Sequence, residues 1–144
     1  MEVGELFEGS TPLARRLLAE GPFENAAALI AAARRLQDSL SEPERIATLN
    51  AHPRIGERAE RLSAASLREQ GSDLLAELDD LNDLYERRFG FRFVVFVNGR
   101  TKSAILEVLR ERLENKRDQE LATGFRAVVD IAEDRLARAG EELK

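Results

Sequence analysis

Phe89-Gly90-Phe91-Arg92-Phe93-Val94-Val95-Phe96-Val97 is the one stretch of this sequence rich in aromatic and β-branched residues, the types that suit a pleated, half-buried backbone. It decides the fold class. A short apolar run of this kind is either a buried strand or a buried extended connector, and periodicity does not separate the two. A strand needs a second strand to take its backbone hydrogen bonds, and no other segment of the chain has strand character. The run is therefore expected to be an extended connector buried among helices. The fold is expected to be all-α, a single-domain helical bundle spanning residues 1–144.

The flanking segments read as helices with identifiable starts. Downstream, Thr101 can cap a helix running to about Leu113. Asp118 can cap a final helix with Leu121, Phe125, Val128, Val129, Ala132 and Leu136 facing inward. Upstream, Gly71-Ser72-Asp73 is expected to break the chain and recap a long helix whose buried stripe is Leu74, Leu75, Leu78, Leu81 and Tyr85. Before it, Ser66-Leu67-Arg68-Glu69 has capping-box spacing and should open a short helix. Ser41-Glu42-Pro43-Glu44 has the same spacing and starts a helix with Ile46 and Leu49 on one face. That helix must end near Asn50, because Pro53 disfavours helical backbone at His52. His52 thus lies where a helix gives way to a loop, a position that predicts little core burial for its ring. Near the amino terminus, Thr11-Pro12 reads as a cap with proline at the first helical position, and Gly21-Pro22 closes that helix. A further helix is expected from about Phe23 to Leu40. Neither an internal repeat nor an interdomain linker is evident.

Composition narrows the chemistry. The net charge is -5, with Lys and Arg interspersed among Asp and Glu, so no basic stripe faces a row of phosphates and nucleic acid is not an expected partner. The absence of cysteine removes thiolate nucleophiles and Cys-based zinc sites, and a single histidine excludes a multi-histidine metal centre. Any catalysis must use oxygen, nitrogen and one imidazole. The acidic start, Met1-Glu2-Val3-Gly4-Glu5, leads into no long apolar run, so neither a membrane span nor a signal peptide is expected and the cytoplasm is the expected compartment.

Four stretches together resemble the family of OHCU decarboxylases, where OHCU is 2-oxo-4-hydroxy-4-carboxy-5-ureidoimidazoline. They are Asn50-Ala51-His52-Pro53-Arg54-Ile55-Gly56, Ser66-Leu67-Arg68-Glu69-Gln70, Arg88-Phe89-Gly90-Phe91-Arg92-Phe93-Val94-Val95, and the tail between Asn115 and Leu136. Each alone is common; their order and spacing are specific. The resemblance implies an all-α bundle, usually a homodimer, that converts a small ureidoimidazoline into (S)-allantoin during urate breakdown without cofactor or metal. It implies His52 as catalytic acid/base and Glu69 as its partner. Pro53, Ser66, Leu67, Arg68 and Gln70 are implied substrate contacts. So are Val95, Phe96, Val97, Asn98 and Gly99, through backbone polar groups, and Arg135, directed into the pocket from the last helix. Two departures stand out: the segment between His52 and Ser66 is shorter than in many relatives, and Arg92 occupies a position where proline is frequent.

The implied reaction suits these residue types. The substrate bears its carboxylate on a carbon next to a C=N bond, so it is a β-imino acid with its own electron sink and needs no pyridoxal, thiamine or metal. A positioned proton donor is what it lacks, and histidine titrates near neutrality. Plainer roles exist for several residues. The capping box alone accounts for Ser66 and Glu69, Arg135 can serve the helix dipole or pair with Glu133 or Asp134, and burial alone explains the aromatic run. Two non-catalytic alternatives are a ureide-binding or pathway-partner-binding protein of the same fold, and a purely structural helical module. The joint presence of His52, Ser66, Glu69, Gln70 and Arg135 favours the decarboxylase, because a module needs only apolar stripes.

Overall fold

Helix-start chemistry sets most of the element boundaries. The structure, a computed structural model, describes residues 2–55 and 71–139. Seven helices occur among the described residues: α1 (Val3–Leu6), α2 (Pro12–Glu20), α3 (Ala26–Leu36), α4 (Glu42–Asn50), α5 (Gly71–Phe89), α6 (Lys102–Arg112) and α7 (Arg117–Ala139). The side-chain oxygens of Thr11, Asn25 and Thr101 accept hydrogen bonds from Ala14, Ala28 and Ala104 to cap α2, α3 and α6. At α4 the capping box is complete: the Glu44 N–H donates to Ser41 Oγ at 3.2 Å and the Ser41 N–H to Glu44 Oε1 at 2.9 Å. That backbone N–H of Ser41, on Oε1, holds the Glu44 carboxyl below the usual carboxylate range.

Several boundaries differ from expectation. The helix expected from Phe23 to Leu40 is α3, shorter at both ends, because Asn25 caps better than Phe23 and the chain turns after Leu36. Of the break and recap expected at Gly71-Ser72-Asp73, the described residues show α5 running from Gly71 onward, and what precedes it lies outside the described residues. Leu75, expected in the buried stripe of α5, is 39% exposed, while Leu78 and Tyr85 are buried. The final helix begins at Arg117, which places Asp118 in its first turn, where its charge still favours the dipole. The four-residue α1, held by reciprocal contacts of Glu2 and Glu5, carries no sequence signal that marks it as helix.

The core is helix on helix. α7 packs against α3, α4 and α1, and α2 packs against α3 and α4. α7 and α4 approach closely at Gly124, where an added Cβ would stand 3.1 Å from Leu49 Cδ2. Among the described residues no helix is long and apolar enough to cross a membrane.

The expected connector is present but shorter: residues 92–97 lie outside any helix or strand, with Phe93, Val94 and Val95 buried, while Phe89 ends α5 and Phe91 lies in the bend after it. A buried extended backbone must place its polar groups somewhere. Here side chains stand in for the missing strand. Arg117 Nε donates to Phe89 O at 2.9 Å, the Arg92 N–H donates to Asn50 Oδ1 at 2.9 Å, Arg112 Nη1 donates to Val94 O at 2.7 Å, and Arg100 donates to the carbonyls of Phe96 and Val97.

Arg112 is fixed in turn by Glu120, which is wholly buried. Glu120 Oε1 accepts from Arg112 Nε at 2.8 Å and from Tyr85 Oη at 2.6 Å, and Oε2 accepts from Asn115 Nδ2 at 2.7 Å. Burial pushes the Tyr85 phenol up, so it remains a neutral donor to the carboxylate. The Tyr85 ring also meets Phe89 and Phe93 at centroid distances of 4.6 and 5.3 Å, and the Arg112 guanidinium lies 4.6 Å over Phe93. Glu120→Ala strands the Arg112 charge in this environment and should lower folding stability by about 3–5 kcal/mol. Urea denaturation checks this; a change below about 1 kcal/mol would show the network to be energetically idle.

Candidate active site

His52 follows α4 in a turn closed by its own N–H, which donates to Leu49 O at 3.1 Å. Contrary to the expectation for a helix-to-loop position, the residue is buried, at 3% exposure. The turn after α1 approaches it: Glu8 Oε1 lies 3.9 Å from His52 Nδ1.

Two arginines anchor the chain around the His52-Pro53 turn. Arg92, on the connector, donates from Nη1 to His52 O at 2.7 Å, while its backbone N–H holds Asn50. Arg54 donates from Nε to Glu86 Oε2 at 2.9 Å and from Nη2 to Asp83 Oδ1 at 2.5 Å, tying the exit from the turn to α5. Bonding to Glu86, and then to Asp83, raises the Arg54 pKa above its ordinary value and secures its charge. The histidine backbone is thus anchored to α4, the connector and, through its neighbour, α5.

Glu8 is a residue that sequence reasoning missed. Its backbone is left-handed, with φ +63°, and the following Gly9 has φ +103°. Its side chain is 10% exposed, and Oε1 lies 2.5 Å from Arg135 Nη2. Arg135 also donates from Nη1 to Leu6 O at 2.8 Å and Glu5 O at 3.3 Å, capping the carbonyl end of α1. Arg135 therefore points towards His52 by way of Glu8. The helix neighbours considered as its partners are taken elsewhere: Glu133 pairs with Arg34 and Asp134 with Arg138. Nothing in the composition marks Glu8 as buried; a turn glycine after a buried Phe7 is the only local signal.

Among the other predicted site residues, Pro53 is half-buried beside His52. Val95 and Val97 are buried, Phe96 is half-buried, and Asn98 and Gly99 form an exposed left-handed turn with φ +48° and +75°. The carbonyls of Phe96 and Val97, proposed to face a ureide, already accept from Arg100. Ser66, Leu67, Arg68, Glu69 and Gln70 lie outside the described residues. A groove of about 400 Å³ between Leu17, Leu18, Phe23 and Leu29 carries no titratable side chain and has none of these residues in its walls.

Known proteins converge on one family. The sequence profile of OHCU decarboxylase matches residues 1–137. The chain belongs to the OHCU decarboxylase family. A relative from Haloferax volcanii, 2-oxo-4-hydroxy-4-carboxy-5-ureidoimidazoline decarboxylase, is 35% identical over 93% of this chain and 84% of its own length. The uric acid degradation bifunctional protein PucL of Bacillus subtilis is 32% identical over 94% of this chain, which corresponds to 29% of that larger protein. Among solved structures, the crystal structure of OHCU decarboxylase in the presence of (S)-allantoin superposes with a TM-score of 0.81 at 28% identity, covering 96% of this chain and 97% of the other.

Arg92 makes both of its bonds to the α4 exit from one position, one through its backbone and one through its side chain. The bond to Asn50 needs a backbone N–H, which any residue but proline supplies, whereas the bond to the His52 carbonyl needs the guanidinium. Arg92→Ala removes a charge-assisted bond to a part-buried carbonyl and should cost about 1.5–3 kcal/mol. Thermal and urea unfolding measure the loss, and an unchanged midpoint in both would show the turn to be held without Arg92.

Proposed function

We propose that this chain decarboxylates OHCU to (S)-allantoin in urate breakdown, with His52 as the proton donor. One observation carries the reading beyond family membership: the chain's only imidazole is buried at a helix end, with its backbone held by Arg92 and its Nδ1 edge beside a carboxylate. Such an arrangement suits a group that must present one proton from one direction.

The chemistry is balanced without a cofactor. The C–C bond to the carboxylate breaks, CO2 leaves, and the electron pair passes into the adjacent C=N bond, whose nitrogen takes up a proton. The resulting enol then loses its hydroxyl proton as its neighbouring carbon gains one from a single face. His52 supplies the proton to carbon, and a fixed imidazole makes the product one enantiomer. Glu69 serves as its partner, orienting the ring or accepting from the substrate's ureido N–H groups. Pro53, the stretch of Ser66, Leu67, Arg68 and Gln70, and the backbone at Val95, Phe96, Val97, Asn98 and Gly99 contact the planar ureide. Arg135 approaches the anion with the Nε–H and the second Nη2–H that its contacts to Leu6, Glu5 and Glu8 leave over. A homodimeric enzyme acting in the cytoplasm belongs to the same reading.

Freshly generated OHCU should be converted to dextrorotatory (S)-allantoin faster than it decays to racemate, followed by optical rotation. Racemic product at the spontaneous rate rejects the proposal. His52→Asn should reduce turnover by roughly 10²- to 10⁴-fold, the scale of a positioned acid/base group. Glu69→Gln separates catalysis from helix capping, because glutamine also serves at the third position of a capping box. Its thermal midpoint should stay near that of the parent while turnover falls by roughly 10²-fold. Unchanged turnover would assign Glu69 to capping.

A further inference from the structure

We propose that Glu8 is a positioning residue for His52: its inward-held carboxylate, gripped by Arg135, keeps the imidazole charged and oriented for proton donation. The inference rests on the reading of His52 as the donor. Three independent observations lead to it. The first is conformational. Glu8 has a side chain yet occupies left-handed backbone at φ +63°, a conformation that L-residues adopt at a cost and that persists only where surrounding contacts impose it. Here the conformation turns the side chain inward, to 10% exposure, rather than out to solvent. The second is the grip itself: Arg135 fixes both the end of α1, through the carbonyls of Leu6 and Glu5, and the Glu8 carboxylate that follows it. The turn and the carboxylate are therefore held as one unit against α7. The third is reach. The same oxygen that meets Arg135 lies 3.9 Å from His52 Nδ1, in a place where little water screens the charge.

The consequence is electrostatic. A carboxylate this close favours the imidazolium over the imidazole, and the imidazolium is the form with a proton to give. Among the described residues, charged groups reach His52 from more than one element. Glu8 comes from the turn after α1, with Arg135 of α7 behind it, and Arg92 of the connector meets the backbone carbonyl. Arg54, in the same loop, is committed to Asp83 and Glu86. Glu69 lies outside the described residues. Glu8 and Arg135 thus act on the ring with opposite sign, and the Glu8 carboxylate is the group that stands 3.9 Å from Nδ1.

The chain contains one histidine, so an isotope-labelled imidazole can be titrated by NMR in the full-length protein without substrate and without ambiguity of assignment. Glu8→Gln should lower the titration midpoint of His52 by about one pH unit or more, and Arg135→Gln should raise it, because the remaining Glu8 carboxylate is then no longer shared. Glu8→Asp, which keeps the charge, should retain most of the parent midpoint. General loosening of the turn would move Gln variants at both positions the same way, so parallel shifts, or no shift in a folded Glu8→Gln protein, overturn the inference. Should Glu8→Gln fail to fold, the sign of the Arg135→Gln shift decides alone. In the OHCU assay the turnover deficit of Glu8→Gln should be about tenfold above the variant's midpoint and should shrink as the pH falls below it. A shifted titration with no OHCU turnover in the parent protein would reject the reading of the reaction while leaving the charge relation standing. Turnover in the parent with an unmoved midpoint would do the reverse.

Discussion

A carboxylate with no access to solvent, that of Glu120, is the constraint on which the arrangement of the structure depends. Burying a charge is unfavourable unless partners surround it, and the partners here come from separate elements: Tyr85 from α5, Arg112 from α6 and Asn115 from the turn before α7. Satisfying Glu120 therefore sets the mutual placement of three helices. Arg112 then carries the constraint to the connector through the Val94 carbonyl, and the connector carries it to the His52 turn through Arg92. A buried ion pair of this kind need not add stability over a well-packed apolar core. What it supplies is register, since a displaced α6 or connector leaves a buried charge without its partner.

The same logic explains how an extended apolar run lies in the interior of an all-helical protein. The family of solutions open to a buried backbone is small: another strand, a helix, or side chains long enough to reach in. This chain uses the last. Arginine suits because its fork can donate in two directions from one position, as Arg112 does to a carboxylate and a carbonyl together. The abundance of arginine beside so much acid is in part an internal feature and not only a surface one.

What the sequence made legible was local. Capping residues at Thr11, Ser41 and Thr101 placed helix starts, Pro53 placed the end of α4, and the lack of a second strand candidate identified the connector. Each of these depends on residues within a few positions of one another. The missed features depend on distant pairs. Glu8 and Arg135 are 127 positions apart, and Arg92 and the His52 carbonyl are 40 apart. Acidic and basic residues are so frequent here that no pattern singles out the few that are buried with each other. The backbone of His52 is that of a loop, and the burial of its ring, with Glu8 3.9 Å away, depends on residues that no window around His52 contains. Leu75 failed the other way, as helical periodicity allowed a wider apolar stripe than α5 buries.

The Tyr85 phenol has an optical consequence. It is the chain's sole tyrosine, and there is no tryptophan, so the near-ultraviolet absorption on the long-wavelength side of the phenylalanine bands comes from one ring. That ring is packed against phenylalanines and hydrogen-bonded to the carboxylate that joins α5, α6 and α7. The molecule therefore has a built-in chromophore at its structural joint, and its tyrosine spectrum follows that joint and no other part of the fold.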